Sequence, residues 1–299
     1  MSPTMRRMIE LKDAGPGRGA AGVDERPIGR ILVDMGKLRP DDVARVFLYH
    51  REKGLPFGEA ARRLHLVSAA DVQQALAIQF DFPYLQPRQG ALSRELIAAY
   101  DPFDRQTETL RELRTHLLLH WFSPERKMLA IVSPDSGDGK SYLAANLAVV
   151  FAQMGENTLL IDANLRAPRQ HRVFGLGSTG LGLAQALSGR TTLDVAERVA
   201  YFESLSVLAA GTVPPNPLEL LSRAEFCRLL EEAAHRYTVI LIDTPAAALG
   251  ADARIVAARA AGALLVARQD KTRVSDLRRL QQAIVDCGAA LAGTVMNRL

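Results

Sequence analysis

One segment of the sequence constrains the fold more than any other. An apolar run, Met128–Ser133, leads into the loop Ser133-Pro-Asp-Ser-Gly-Asp-Gly-Lys-Ser141, and apolar residues at helical spacing follow over Lys140–Gln153. The glycines at 137 and 139 have no Cβ atom, so the loop backbone can curl and point its N–H groups inward. A strand, a curled loop and a helix N-terminus in this order form a nest for an anion. The segment therefore predicts a phosphate-binding P-loop.

The side chains of this loop indicate a nucleotide with a divalent cation. Lys140 supplies a positive charge for the β- and γ-phosphates, and the hydroxyl of Ser141 is a ligand for Mg²⁺. The strict pattern has glycine where Pro134 stands, so this is a variant loop, and a turn that binds nothing is the alternative. We predict ATP and Mg²⁺ as cofactors. The predicted nucleotide-binding residues of the loop are Ser136, Gly137, Asp138, Gly139, Lys140, Ser141 and Tyr142.

Two later apolar runs end in acidic residues. Asp162 follows the run that ends at Ile161, and Asp243 follows the run that ends at Ile242. Each carboxylate therefore stands where a predicted strand leaves the core, and such oxygen ligands suit a hard cation beside phosphates. One acid of this kind is often only a helix cap. Two of them, in order after a P-loop, predict a Mg²⁺ site formed by Asp162 and Asp243 with Ser141.

Apolar strands alternate with helices over the second half of the chain. The predicted strands are Met128–Ser133, Thr158–Asp162, Leu205–Ala209, Thr238–Asp243, Ala263–Ala267 and Leu291–Met296. The predicted helices include Glu108–Trp121, Lys140–Gln153, Leu218–His235 and Val274–Cys287. Near-continuous apolar strands between helices indicate a parallel sheet that is covered on both faces. We predict an α/β fold of the P-loop NTPase-like class, with a doubly wound, mostly parallel sheet.

The first part of the chain contains a repeat. Pro27–Leu32 aligns with Pro56–Ala61. The match continues farther along, where Leu38 aligns with Val67, and the two copies are offset by 29 residues. Each copy has helical apolar spacing with a short break, which predicts two helix-turn-helix units. The predicted organisation is a flexible tail at 1–25, a small all-helical repeat domain at 26–85, a linker at 86–104 and the P-loop domain at 105–299.

The composition is that of a globular protein, with 48% apolar residues, 23% charged residues and a net charge of +4. The arginines are spread along the chain rather than grouped, so we predict no nucleic-acid partner. Cys227 and Cys287 have neither metal-ligand nor disulfide spacing, which suits a reducing compartment. The start lacks the apolar core of a signal peptide, and no apolar run reaches the ~18 residues of a membrane span. We predict a cytoplasmic protein.

Two other patterns imitate binding sites. Gly175-Leu-Gly-Ser-Thr-Gly180 has the spacing of the dinucleotide fingerprint, but a polar stretch rather than a strand precedes it, which favours a flexible loop. His116 and His120 stand four residues apart on a predicted helix. No third ligand accompanies them, which favours a surface or packing role.

Several motifs in order point to one family. They are Ser133–Phe174, Gly211–Leu221, Leu241–Pro245 and Gly293–Asn297. Together they resemble the bacterial tyrosine kinases of exopolysaccharide chain-length control, and the resemblance extends from Pro102 to the end. A repeat domain before a kinase-like domain is similar to the cytoplasmic, kinase-type chain-length determinants encoded with exopolysaccharide systems.

This resemblance implies roles for individual residues. Lys140 matches the P-loop lysine, Asp162 the acid of the second Walker motif, and Asp243 the Walker B acid, so all three are predicted to be catalytic. Asn297 matches a position that contacts the base in related P-loop ATPases, and we predict that it binds the nucleotide.

Two departures from the family bear on catalysis. The family usually has aspartate at the position of Asn164. We nevertheless predict that Asn164 is a catalytic residue. The amide keeps a hydrogen-bonding group but loses a charge and a proton acceptor. The family's autokinases also end in a tyrosine-rich tail, whereas the last tyrosine here is Tyr237 and the sequence stops at Leu299. We therefore expect weak or absent self-phosphorylation.

The resemblance also implies a homo-oligomer. Glu108, Arg111 and Arg114 match a Glu-x-x-Arg-x-x-Arg element that builds a ring of subunits. Residues three apart are neighbours on a helix, so the three form a charged ridge. Without the family match, a solvated helix face would be the preferred interpretation.

The first domain resembles the tandem cyclic di-GMP-binding repeats at the N-termini of secretion and pilus ATPases. The repeat length and the paired apolar-Gly positions agree, but Pro27 and Pro56 stand where arginine is expected. Binding of cyclic di-GMP and docking of a protein partner are both open.

These observations predict a kinase-like ATPase that regulates exopolysaccharide polymerisation and chain length. Its expected partner is a membrane chain-length determinant (polysaccharide co-polymerase), which would hold it at the periphery of the inner membrane. One rival is a partition or septum-placement ATPase, but those proteins carry a lysine early in the loop, where Asp135 stands. The other is a nucleotide-sensing scaffold without turnover, which Asn164 permits.

Overall fold

The computed structural model describes residues 27–80, 84–85, 91–177 and 180–298. The chain separates into two compact units, which divide after residue 82. The helical unit precedes this division and the α/β unit follows it. The predicted tail at 1–25 lies outside the described residues.

The helical unit consists of short helices whose ends are marked in the sequence. They are α1 (Ile28–Asp34), α2 (Pro40–Lys53), α3 (Phe57–Arg63) and α4 (Ala69–Gln79). Helix α2 ends at Gly54, which adopts a left-handed conformation with φ of 63°. Helix α4 begins with a capping box, in which Ser68 and Asp71 each accept a hydrogen bond from the other's backbone N–H. The helix-turn-helix pairs predicted from the repeat are thus present.

The core of the helical unit is built from the repeat itself. Its fully enclosed residues form four pairs separated by the repeat length: Ile31 with Ala60, Leu32 with Ala61, Leu38 with Val67, and Val46 with Ala75. The repeated glycine also has a packing reason. A Cβ atom on Gly29 would lie 2.8 Å from the Phe57 ring, and one on Gly58 would lie 2.6 Å from Val72. Only glycine permits these close helix approaches.

The α/β unit contains a single sheet and helices on both of its faces. Its strands are β1 (Met128–Val132), β2 (Thr158–Asp162), β3 (Glu197–Arg198), β4 (Leu205–Leu208), β5 (Val239–Asp243), β6 (Gly262–Arg268) and β7 (Ala290–Asn297). Its helices are α5 (Ile97–Tyr100), α6 (Arg105–His120), α7 (Lys140–Gln153), α8 (Gln170–Val173), α9 (Leu183–Leu187), α10 (Pro217–Ser222), α11 (Ala224–Arg236), α12 (Asp252–Arg259) and α13 (Val274–Asp286).

The strand order in the sheet is β3-β4-β2-β5-β1-β6-β7. All neighbours are parallel except β3 and β4. Along β1, Leu129 and Ile131 join the core cluster that contains α7, whereas Ala130 and Val132 join the cluster on the other face. Alternate side chains are therefore buried on opposite faces, as expected for a parallel sheet between helical layers. The predicted α/β, P-loop NTPase-like fold is confirmed.

Three features of the structure were not predicted from the sequence. The helix predicted over Leu218–His235 is broken at Arg223, whose extended backbone (ψ of 156°) separates α10 from α11. The antiparallel strand β3 was not predicted, because two residues carry no periodic signal. A short helix, α5, lies within the range 86–104 that was predicted as a linker. In its described part, α5 packs on α7, and Asn146 of α7 accepts a hydrogen bond from the N–H of Ala98.

Among the described residues, every helix is too short or too polar to span a bilayer.

Candidate functional site

The P-loop has the curled backbone that its glycines predict. Gly137 and Gly139 adopt left-handed conformations, with φ of 81° and 96°, and α7 begins at the next residue, Lys140. These angles suit glycine because they carry no Cβ penalty. The loop between β1 and α7 therefore leads directly into a helix N-terminus, where unpaired N–H groups favour a bound phosphate.

Lys140 is folded back onto its own loop. Its Nζ donates to the Ser133 hydroxyl (2.9 Å) and to the Asp135 carbonyl (3.3 Å), and the residue is only 6% exposed. Burial lowers the pKa of the Lys140 ammonium, while the charge of Asp243 opposes this shift. The lysine is thus held inside the loop, close to the predicted phosphate position.

A second loop, which follows β6, binds the outside of the P-loop. Lys271 donates to the Ser136 carbonyl (2.9 Å), and Arg268 donates to the Gly137 carbonyl (3.3 Å). The Thr272 hydroxyl donates to the Asp138 carboxylate (3.1 Å). The sequence reasoning missed these three residues, since their separation from the P-loop in sequence hides the contact.

Asn297 lies at the same place. Its amide nitrogen donates to the Asp138 carbonyl (3.2 Å). The end of β7 therefore contacts the P-loop, and Asn297 stands beside the predicted nucleotide site. Asp138 itself is fully buried, and its carboxylate accepts from the Asp135 N–H (2.9 Å). Asp138 therefore stabilises the loop from within.

Asp162 and Asp243 stand side by side. They are register partners at the carboxyl ends of the adjacent parallel strands β2 and β5, and both are fully buried. Asp162 accepts N–H groups from Asn164 (3.2 Å), Arg169 (3.0 Å) and Gln170 (2.9 Å). The two acids predicted to meet are brought together beside Lys140, whose charge acts on Asp243.

The electrostatics of this pair are unfavourable without a counter-charge. Burial, reinforced by the charge of Asp243, raises the pKa of Asp162 to about 7. Burial also raises the pKa of Asp243, although the Ser141 hydroxyl and the Gln170 amide oppose the rise. One oxygen of Asp243, Oδ1, is buried and has no hydrogen-bond partner among the described residues. Two adjacent carboxylates and an orphaned oxygen are a fitting environment for a divalent cation.

Gln170 connects the parts of the site, and the sequence reasoning did not identify it. Its side-chain nitrogen donates to the Ser141 carbonyl (3.1 Å) and to the Asp243 carboxylate (2.8 Å), while its backbone N–H reaches Asp162. Gln170 is fully buried, and within the part of the chain that the structure describes its Oε1 has no hydrogen-bond partner. A glutamine at the start of α8 gave no chemical signal, because no familiar motif requires it.

Two further predicted site residues are placed near this centre. The side-chain oxygen of Asn164 accepts the N–H of Ala167 (3.1 Å), so Asn164 closes a turn in the loop after Asp162. The hydroxyl of Tyr142 donates to the side chain of Gln106 on α6 (3.4 Å), which directs it toward that helix.

The predicted oligomer residues lie on α6. Arg111 forms an ion pair with Glu108, as their spacing predicts. Arg114 instead turns inward, where it donates to the Val150 carbonyl of α7 (2.9 Å), and burial lowers its pKa. The rings of His116 and His120, farther along α6, lie 4.5 Å apart on an exposed surface, which confirms a surface role.

The donor set fits Mg²⁺ better than a metal with a full protein cage. The part of the chain described by the structure holds no group of three or more histidine, cysteine, aspartate or glutamate side chains around one metal position. Mg²⁺ characteristically takes one or two carboxylates and completes its shell with water and substrate phosphates. Asp162, Asp243 and the hydroxyl of Ser141 provide such a set next to the phosphate nest.

Comparison with known proteins agrees with this geometry. Residues 129–299 match the CobQ/CobB/MinD/ParA nucleotide binding domain. The chain is 37% identical over 210 residues to the tyrosine-protein kinase YwqD of Bacillus subtilis, covering 70% of this chain and 88% of that protein. It is 31% identical over 212 residues to the tyrosine-protein kinase etk of Escherichia coli, covering 71% of this chain and 29% of the relative.

Among solved structures, the kinase domain of the Escherichia coli tyrosine kinase ETK superposes with a TM-score of 0.67 at 30% identity, covering 72% of this chain and 84% of that one. The fold of the α/β unit thus agrees with that of a solved tyrosine-kinase domain. The chain belongs to the bacterial tyrosine-protein kinase family, built on the CobQ/CobB/MinD/ParA nucleotide binding domain.

Proposed function

We propose that this protein binds ATP with Mg²⁺ and transfers the γ-phosphoryl group to a tyrosine of a protein. The observation that carries the proposal is the register of Asp162 with Asp243, both fully buried, at the strand ends beside Lys140. Burying two neighbouring carboxylates costs free energy, so their retention indicates a function rather than a contribution to stability.

In the proposed reaction, the tyrosine oxygen forms a bond to the γ-phosphorus while the bond to the β–γ bridging oxygen breaks. ADP leaves with that oxygen, and the proton of the tyrosine hydroxyl passes to water. Lys140 and the N–H groups of the P-loop hold the phosphates and stabilise their charge. Ser141, Asp162 and Asp243 would hold Mg²⁺, which when bound would neutralise part of the phosphate charge. Asn297 would contact the base. Asn164 would orient the loop after Asp162 without accepting a proton.

We further propose that this activity regulates exopolysaccharide synthesis and chain length. The support is the ordered set of motifs shared with kinases of that process, together with membership of the tyrosine-protein kinase family. The partner would be a membrane chain-length determinant, and the protein would act in the cytoplasm at the membrane through that partner. Nucleotide-dependent assembly of a ring would be the switch.

A combined assay tests the central proposal. Purified full-length protein is incubated with Mg²⁺ and ATP, with and without the cytoplasmic segments of the membrane partner, and both phosphotyrosine and ADP are measured. Lys140→Met is the control for a contaminating kinase. Phosphotyrosine and ADP that both depend on Lys140 support the kinase. ADP without phosphotyrosine supports an ATPase, and neither product, with nucleotide still bound, supports the nucleotide-sensing scaffold.

The ring is tested most sharply at Arg111. Arg111→Glu places a like charge beside Glu108, whereas Arg114 donates to the Val150 carbonyl of α7 and its replacement would also loosen the fold. Arg105→Glu changes an exposed arginine on the same helix and serves as control. Light scattering with ATP should show a smaller mass for Arg111→Glu than for the parent or Arg105→Glu. Equal masses for all three proteins would remove this helix surface from the interface.

The helical unit carries its own candidate site. An apolar cavity of about 740 Å³ is bordered by Arg30, Phe47 and His50 among others, and Phe47 is 49% exposed. We propose a ligand at this cavity and test cyclic di-GMP by calorimetry on the full-length protein. Arg30→Glu should weaken binding, whereas Arg45→Glu, an exposed arginine outside the cavity lining, should not. No heat of binding in the parent would favour docking of a protein partner.

A further inference from the structure

A second cavity lies in the α/β unit, at the carboxyl ends of β2 and β4. It has a volume of about 850 Å³ and its lining includes Arg166, Arg169 and Arg172, with Glu95 as its acidic member. Ligands of parallel sheets bind beyond the carboxyl ends of the strands. This cavity, here called the arginine groove, is cationic and is not part of the phosphate nest.

The groove shares one loop with the catalytic site. The backbone N–H of Arg169 donates to Asp162 (3.0 Å), while the same residue lines the groove. The next residue, Gln170, reaches both Asp162 and Asp243. A molecule in the groove would therefore lie one residue away from the predicted site of phosphoryl transfer.

The three arginines are held with different strength. Arg166 makes two hydrogen bonds, 3.1 and 3.2 Å long, to Asp252, which is buried, so this arginine is fixed. Arg169 forms an ion pair with Glu95 (2.5 Å), and both side chains are exposed, that of Arg169 by 44% and that of Glu95 by 47%. Exposed pairs of this kind contribute only about 0–1 kcal/mol, so a carboxylate from a ligand can replace Glu95 at little cost.

Arg172 is exposed, and the hydrogen bond it donates to the Pro168 carbonyl is long (3.3 Å). It can therefore reorient toward an acidic ligand without breaking a buried contact.

The groove also has an apolar wall. Val213, which is 53% exposed, lines it beside Pro168. Val213 belongs to the segment Gly211–Leu221, one of the motifs singled out in the sequence. An exposed valine and a half-buried proline next to guanidinium groups can pack against an aromatic ring, and arginine adds a cation–π contact. The lining thus combines surfaces for carboxylates and for a tyrosine ring.

We propose that the arginine groove binds the phosphoacceptor as an extended acidic peptide containing a tyrosine. Carboxylates of the peptide pair with Arg169 and Arg172, and the tyrosine ring packs on Val213. This substrate class deepens the proposed tyrosine-kinase function and rests on it.

The test compares two peptides and two variants of the full-length protein. One labelled peptide has glutamates on both sides of a single tyrosine, and the other has glutamines at the same positions. Arg172→Glu reverses a charge in the groove. Arg278→Glu makes the same change at an exposed site on α13, which packs on β6 and β7 in the other half of the sheet. Fluorescence anisotropy measures peptide affinity, and nucleotide affinity is measured for all three proteins.

The parent should bind the glutamate peptide about tenfold more tightly than the glutamine peptide, and added salt should reduce this preference. Arg172→Glu should lose the preference, and Arg278→Glu should keep it. Equal binding of both peptides by the parent would overturn the proposal. So would an equal loss in both variants, because net charge rather than the groove would then decide affinity.

Phosphorylation of the same peptides separates this proposal from the proposed function. A raised KM with unchanged kcat for Arg172→Glu would support both. Preferential binding of the glutamate peptide without phosphate transfer would leave the groove in place and overturn the tyrosine-kinase function.

Discussion

The two units of the chain bury different kinds of side chain. Among the described residues, every buried polar or charged side chain lies in the α/β unit, and the site residues Asp138, Lys140, Asp162, Gln170 and Asp243 are all in this group. The enclosed core of the helical unit is entirely apolar. Burying a polar group costs free energy unless a partner compensates it. The polar groups of the candidate site are therefore buried inside the α/β unit, whereas any polar group that contacts a ligand of the helical unit must lie at its surface.

The difference teaches how each unit should respond to substitution. In the α/β unit, Gln170 links Asp162 to Asp243, and Lys140 donates to Ser133, so a change at one of these buried polar residues should alter binding strongly. In the helical unit, changes in the core should alter stability alone.

Lys140→Met should weaken ATP binding by about a hundredfold or more, because it removes the buried charge directed at the phosphates. The fold should persist, since methionine fills a similar volume and burial already disfavours the lysine charge. Calorimetry measures the affinity, and Lys53→Met, an exposed lysine of the helical unit, is the matched control. An unchanged affinity would show that Lys140 does not contact the nucleotide.

Asp243→Asn should flatten the pH dependence of stability. In the parent, the folded-state pKa of Asp162 is about 7, above its ordinary value of 3.8. The folded state therefore holds a proton that the unfolded state releases, so the free energy of unfolding falls as pH rises from about 4 to 7. Removing the charge of Asp243 lowers the pKa of Asp162 and reduces this fall.

Asparagine keeps the shape of the side chain at position 243, and its oxygen can still accept from Gln170. Urea denaturation across this pH range, without divalent cations, measures the slope. Asp42→Asn in the helical unit is the control for loss of one charge. If parent and Asp243→Asn show the same slope, the two carboxylates do not interact.

Gly58→Ala should destabilise the helical unit by about 1–3 kcal/mol, because overpacking a tight helix contact costs that much. The new Cβ atom would lie 2.6 Å from Val72. In thermal unfolding, the transition of the helical unit should move to a lower temperature, while the ATP affinity stays constant. Gly177→Ala, where a Cβ atom would meet open space, is the control. A change of ATP affinity would contradict the expectation that changes in the helical core alter stability alone, since it would show that this core is coupled to the nucleotide site.

Gln170→Leu should weaken Mg²⁺-dependent nucleotide binding by about tenfold, because two donated hydrogen bonds to the site are lost. Mg²⁺-free nucleotide binding should change less, since Gln170 contacts Asp162 and Asp243 rather than Lys140. The control is Gln281→Leu, an exposed glutamine on α13. Equal Mg²⁺ titrations for parent and Gln170→Leu would assign this residue a structural role only.

The sequence by itself determined the local features of both units. The glycines of the P-loop, the apolar strand runs and the acids at strand ends specify backbone shape and burial through short-range geometry. They predicted the α/β fold and the meeting of Asp162 with Asp243, because parallel strands in one sheet end at the same edge. The repeat likewise predicted the helical unit, and its core is the repeat itself.

Only the tertiary structure decided which distant residues support these features. Lys271 and Thr272 bind the P-loop, and Gln170 joins Ser141 to Asp243, although none of these residues stands in a pattern that demands it. Arg114 likewise turns into α7 instead of continuing the charged ridge. Such contacts depend on which loops the strand order brings to one edge of the sheet. The spacing of residues along the chain does not contain that order, because it emerges from how the helices pack against the strands.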